Sequence, residues 1–256
     1  MDPSSKMLRS NRLKQVFAEA KRPAMGFWQM LPGANISRIL ARAGADWIMV
    51  DCEHGNMDDA AMHEAVPAIA ALGVSPIVRI PDLQPWMVKI DEVKALVAAA
   101  KFPPEGRRGF GSPFALQNFE PGLTFTEYLQ QANDSLLTMV QIETREALEV
   151  VEEIALLADV VFVGPFDLGN NIGFPIIDGK MAPELDEAID RILTAALVAG
   201  KKCGIYCTSG EQAKEYADKG FHMVSVATDY TALGTVMADT LATARGKAKG
   251  KKGGSY

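Results

Sequence analysis

The chain has 256 residues, 48% hydrophobic and 23% charged, with a net charge of −6. That composition suits one globular α/β barrel or two small domains with ample core, and the acidic balance excludes a general nucleic-acid surface. No run of about 18 apolar residues marks a membrane span. Three cysteines (Cys52, Cys203, Cys207) make no disulfide framework and no zinc ligand spacing, so reduced thiols in a cytoplasmic chain are expected.

The opening MDPSSKMLRSNRLKQ lacks the apolar core of a signal peptide, and residues 1–21 are expected to form an N-terminal helical extension. A first strand, Ala24–Gln29, ends in Trp28-Gln29. A helix over Asn35–Ala43 leads to a second strand, Trp47–Asp51, which runs out into Asp51-Cys52-Glu53-His54-Gly55. Asp58–Ala71 opens with acidic residues, as a helix N-terminus prefers, and the third strand, Pro76–Ile80, carries Arg79. The pattern then changes. A helix over Glu92–Ala100 is followed by a Pro/Gly/Arg-rich loop, Phe102–Pro113, and a short helix near Phe125–Gln131. Strands resume at Leu137–Ile142, which leads into Glu143-Thr144, then a helix over Arg145–Leu157 and a strand at Val160–Val163. Gly164-Pro165-Phe166-Asp167 reads as a sharp turn into a loop whose N–H groups could hold an anion. Helices at Pro183–Ala199 and Gly210–Lys219 alternate with strands at Lys202–Tyr206 and Met223–Ala227, and the basic residues 244–256 read as a disordered tail. Residues 22–243 are thus one domain.

Near-continuous apolar strands joined by helices indicate a parallel sheet covered on both faces. A closed (β/α)8 TIM barrel needs eight strands. Seven are visible, so an open doubly wound sheet is the alternative on periodicity alone; no G-x-G-x-x-G turn supports a dinucleotide site.

Polar residues gather at strand C-terminal ends, where sites form in such folds. Glu143 and Asp167 are single carboxylates ending neighbouring units. Together with waters and a chelating substrate they make an oxygen-rich site for Mg²⁺ or Mn²⁺, or each simply caps a helix or pairs with an arginine. His54 follows Asp51 and Glu53 and can act as a base near neutral pH, or serve structurally. Arg79, inside an apolar strand, needs an anion. That anion is either a substrate carboxylate or enolate oxygen, or a structural partner in Asp51 or Glu53. No strand ends in lysine, which disfavours a Schiff-base aldolase.

At these residues the sequence resembles the HpcH/HpaI aldolase family, metal-dependent class II pyruvate aldolases of the phosphoenolpyruvate/pyruvate superfamily. The pieces are GFWQ (26–29), ADWIMVDCEHG (45–55), VRIP (78–81), KFPPEGRRGFG (101–111), MVQIETREAL (139–148) and VFVGPFDLG (161–169), in family order. The resemblance implies Glu143 and Asp167 as ligands of a divalent metal (Mg²⁺, Mn²⁺ or also Co²⁺) and His54 as base with Asp51 as its supporting carboxylate. It implies Arg79 as the enolate-stabilising arginine, and Trp28, Gln141, Gly164 and Phe166 around the 2-oxo acid. The implied partners are a small, pyruvate-like 2-oxo acid and an aldehyde, in a homo-oligomer, trimer or hexamer. Against the family pattern, Trp86-Met87-Val88-Lys89-Ile90 joins Asp91-Glu92-Val93-Lys94 directly, and about one β/α unit, holding the fourth strand, is missing. An internal deletion in the gene model, a barrel repaired by residues 112–136, and an inactive remnant that still binds metal or small acid remain open. So does another activity of the superfamily, such as an acyl-CoA lyase or a pericyclic-type synthase.

Overall fold

The computed structural model describes residues 5–80 and 90–246. Seven parallel strands form one sheet in the order β3-β2-β1-β7-β6-β5-β4. They are β1 (Ala24–Gln29), β2 (Trp47–Asp51), β3 (Ser75–Arg79), β4 (Met139–Ile142), β5 (Val160–Val163), β6 (Lys202–Ile205) and β7 (Met223–Thr228). This is the strand order of a TIM barrel with one position vacant, a curled sheet whose two edges, β3 and β4, flank a seam. Residues 112–136 do not repair it. They supply a 3-10 turn (Ala115–Asn118) and a helix, Phe125–Ser135, with no strand.

The helices of the first part are α1 (Lys6–Ser10), α2 (Arg12–Glu19), α3 (Ala34–Arg42), α4 (Asp59–Ala70), α5 (Ile90–Ala100) and α6 (Phe125–Ser135). After β4 come α7 (Arg145–Glu149), α8 (Val151–Leu157), α9 (Pro165–Ile172), α10 (Pro183–Val198), α11 (Gly210–Lys219) and α12 (Asp229–Ala244). The sequence reading differs at three places. Its single helix over Arg145–Leu157 is broken at Val150, whose backbone is non-helical. Its loop after Gly164 is α9, because Pro165 at the first helical position starts a helix where its missing N–H costs nothing. Its unassigned stretch after β7 is α12, which the threonines and Gly234 had masked. The basic tail beyond Gly246 and the junction at Trp86–Lys89 lie outside the described residues.

Hydrophobic clusters on both faces of the sheet hold the frame. Trp28, Trp47, Met49, Phe162 and Met223 fill the barrel interior, and α2 plugs its lower end with Leu13 and Val16. The large rings fit because two strand positions are glycine. A Cβ at Gly26 would lie 2.1 Å from the Trp47 ring, and one at Gly204 would lie 2.4 Å from Phe162. Outside, α8, α10 and α11 bury Ile154, Leu185, Ile189 and Tyr216 against β4 to β6, while Ile69 and Ala65 of α4 cover β2 with Ile48 and Val50. Asp46 ties the N-terminal helices to the sheet by accepting from Arg12 (3.0 Å) and Arg22 (2.6 Å).

Candidate active site

The C-terminal strand ends converge on one mouth lined by Trp28, Asp51, His54, Arg79, Gln141, Gly164, Phe166 and Asp167. Glu143 lines the cavity that adjoins it, together with Arg79 and Gln141. Every residue singled out in the sequence is therefore at this end of the barrel.

Asp51, fully buried, is the hub on the β1–β3 side. It accepts from Trp28 Nε1 at 2.8 Å, from the backbone N–H groups of Glu53 and His54 at 3.0 Å, and from Arg79 Nε at 2.8 Å, with a second bond from Arg79 Nη2. Burial alone would raise this carboxyl, but the Arg79 hydrogen bonds and charge, helped by Trp28 and the His54 N–H, hold it below its ordinary value. Asp51 thus fixes the backbone that carries His54; the bond it makes to His54 is to the main chain, not the ring. His54 itself is exposed at the rim.

Arg79 lies over the Trp28 ring at 5.2 Å and adds a 3.2 Å pair from Nη1 to Glu53. Both the carboxylates that the sequence offered as structural partners are engaged. A guanidinium has five N–H donors, and the contacts among the described residues use three.

The β4–β5 side is different. Glu143 is buried and takes a hydrogen bond from Gln141 Nε2. Burial pushes its carboxyl above the usual range. Gln141 and Arg79 offset part of this, whereas the negative charges of Asp167 and Glu53 add to it. Asp167 sits in the first turn of α9, and neither it nor Glu143 forms an ion pair among the described residues. Gly164 leaves room beside Gln141 and Glu143: a Cβ there would meet Gln141 Nε2 at 2.7 Å and Glu143 Oε2 at 3.0 Å. Among the described residues no three His, Cys, Asp or Glu side chains gather as a complete cation cage. Ligands beyond this carboxylate pair would come from substrate and water.

Sequence reasoning passed over Tyr206, Tyr230, Met30 and Asp229. Tyr206 follows β6, donates or accepts a 2.8 Å bond with Thr228, and meets Trp28 edge-on at 5.1 Å. The Asp229 carboxylate takes the N–H groups of Met30 and Leu31 at 3.0 and 2.9 Å, pinning the loop after β1 beside the mouth. Both stand at strand C-terminal ends, so the rule that located Glu143 would have located them.

A parallel α/β barrel with arginine, histidine and paired carboxylates at one rim defines an enzyme-type barrel site. The family model for HpcH/HpaI aldolase/citrate lyase matches residues 83–234. A 4-hydroxy-2-oxo-heptane-1,7-dioate aldolase of Salmonella dublin is 34% identical, over 93% of this chain and 95% of that protein. An HpcH/HpaI aldolase from Desulfitobacterium hafniense DCB-2 superposes with a TM-score of 0.79 at 27% identity, over 94% of this chain and 98% of the other. A family protein from Burkholderia cenocepacia J2315 gives 0.76 at 28%, over 92% and 99%. The chain belongs to the HpcH/HpaI aldolase/citrate lyase family. No helix among the described residues is long and apolar enough to cross a membrane.

Proposed function

We propose that this chain is a metal-assisted carbon–carbon lyase that cleaves, or forms, a 4-hydroxy-2-oxo acid, with pyruvate as one product. The observation that carries the reading is the carboxylate pair Glu143 and Asp167, which forms no ion pair among the described residues, beside the Arg79 guanidinium. The raised Glu143 carboxyl and the clearance at Gly164 fit a divalent cation such as Mg²⁺, Mn²⁺ or Co²⁺ held by those two side chains. When bound, such a cation supplies Lewis-acid polarisation of the chelating carboxylate and keto oxygens of a 2-oxo acid.

The remaining roles belong to the chain itself. His54, at the rim, takes the C4 hydroxyl proton directly or through water as the C3–C4 bond breaks. The Arg79 guanidinium faces the enolate oxygen that forms, and Asp51 and Trp28 keep it from turning away. The start of α9, at Phe166, turns its backbone N–H toward the substrate carboxylate, and Gly164, whose own N–H is bonded to the Ile142 carbonyl, leaves room for it. Gln141 holds Glu143 in place. Protonation of the enolate carbon yields pyruvate, and an aldehyde leaves from C4. The seven-carbon dioate in the name of the Salmonella relative belongs to this substrate class.

A cytoplasmic homo-oligomer is part of the proposal. Leu233, Val236, Met237 and Leu241 form an exposed apolar stripe along α12, at the spacing of a helix face that packs against another surface. Light scattering of the full chain reads the assembly, and a monomer at all concentrations would rule it out.

Exchange of the pyruvate methyl protons for deuterium, followed by NMR, tests the chemistry without any aldehyde. Exchange is expected with Mg²⁺ or Mn²⁺, and should vanish in Glu143→Ala and Asp167→Ala. Arg79→Ala should lose exchange while keeping metal binding. Exchange that survives chelation would sink the metal role. No exchange with metal present would sink the lyase.

A further inference from the structure

The vacant strand position is a cavity. Among the described residues, about 600 Å³ lies between β3 and β4, beneath α5, against about 100 Å³ at the catalytic mouth. The two spaces share Arg79 and Gln141, so the larger opens sideways into the site. Its height is that of the sheet. All five residues of β3 line it, from Ser75 at the lower end to Arg79 at the top. Met49, Ile77, Met139 and Phe162 supply an apolar inner wall, and Val93 and Leu96 of α5 line it as well. A barrel with all its strands fills this volume with layered side chains. Here the fourth strand's contribution to those layers is missing.

The β3 edge of the slot argues against an added peptide strand. Ser75 N–H donates to Asp46 and the Arg79 carbonyl accepts from Cys52, so residues 75, 77 and 79 face β2 and residues 76 and 78 face the seam. Pro76 has no N–H. The β3 edge offers a partner strand little more than the groups of Val78, a pattern that protects an edge from pairing. What remains is a cavity with an apolar inner wall and charged residues such as Lys101 and Arg108 elsewhere in its lining, of a size that takes small organic molecules, roughly 300–1,000 Å³.

We propose that the seam cavity is the acceptor subsite and takes aldehydes with an extended apolar chain. This rests on the aldolase reading above. The 2-oxo acid occupies the small mouth. The aldehyde carbon meets the enolate at Arg79 and Gln141, and its chain runs down between Ile77 and Met139. In the synthetic direction the methyl carbon of the enolate forms the new bond to the aldehyde carbon, and the aldehyde oxygen takes a proton to become the C4 hydroxyl.

Two measurements on the full chain test it. Calorimetric titration with straight-chain alcohols from butanol to 1-octanol, unreactive stand-ins for the aldehydes, should show binding that tightens about fourfold per CH2. In Ile77→Trp and Met139→Trp, which fill the slot, 1-octanol binding should fall by about tenfold or more. With pyruvate and metal, kcat/KM for octanal should exceed that for acetaldehyde, and both variants should remove the octanal advantage while leaving acetaldehyde addition and pyruvate exchange unchanged. Thermal unfolding of the two variants, matched to the parent, shows that they fold. No alcohol binding, or binding indifferent to both tryptophans, overturns the acceptor subsite even if exchange proceeds. Alcohol binding without exchange overturns the aldolase reading, and the acceptor role with it.

Discussion

Asp51 and Glu143 are both buried carboxylates at the top of barrel strands, and their surroundings push them in opposite directions. Asp51 is saturated with donors, among them a guanidinium, two backbone N–H groups and an indole. Glu143 has one amide donor, and its nearest charged neighbours include two further carboxylates. A buried carboxylate that is satisfied holds a structure together, whereas one left short of positive charge is poised for a ligand that brings it. The barrel therefore divides into a β1–β3 half whose buried carboxylate the chain itself satisfies and a β4–β5 half whose buried carboxylate it leaves short of positive charge.

The largest expected effect comes from breaking the β1–β3 half. Asp51→Asn leaves Arg79 buried with only Glu53 as counter-charge, and should lower unfolding free energy by about 3–5 kcal/mol. Denaturant melts of the parent and variant measure it. The folded Asp51 carboxyl sits below its ordinary 3.8, so its contribution is fully present above that pH and is lost as pH falls through the lowered folded value. The gap between parent and variant should therefore be constant near neutrality and close only in acid. A gap that closes between pH 5 and 7 would mean that Asp51 is not the charge Arg79 depends on.

Glu143 should show the reverse sign. Its folded carboxyl is raised, so ionising it on the way from acid to neutral pH withdraws stability instead of adding it. Without metal at neutral pH, Glu143→Gln should be more stable than the parent by about 1 kcal/mol. Adding Mg²⁺ or Mn²⁺ at a hundred times its Kd should then stabilise the parent by about 2.7 kcal/mol and leave the variant where it was. Equal metal-induced shifts in both proteins would remove Glu143 from the cation site.

How much of this was legible beforehand follows from which forces are local. Strand ends were readable to within a residue or two, because apolar runs bounded by polar residues report burial on both faces, and that rule alone placed Asp51, Arg79, Glu143 and Asp167 at one rim. The seam was legible too, through the family resemblance, as a unit missing where Trp86–Ile90 joins Asp91–Lys94. The partners were not. Nothing in Val78-Arg79-Ile80 says whether the guanidinium faces a ligand or Asp51, since the choice is made by the register Asp51↔Arg79 across β2 and β3. Gly164-Pro165 reads as a turn because the same two residues open turns and helices alike. Tyr206 looked like one more apolar residue in a strand until its hydroxyl was seen on Thr228.

The smallest effect probes where the two halves touch. Glu53 pairs with Arg79 at 3.2 Å and also adds negative charge around Glu143. Glu53→Gln removes a partly solvated ion pair, worth about 0–1 kcal/mol. It also relieves one of the repulsions that raise the Glu143 carboxyl. The two changes oppose each other, so melting in the absence of metal should barely move. Metal affinity should fall modestly, because the site loses negative charge without losing a ligand. A loss of stability as large as that of Asp51→Asn would show that Arg79 leans on both carboxylates equally. The β1–β3 half would then not be closed by Asp51 alone, and its contrast with the Glu143 side would narrow to a difference of degree.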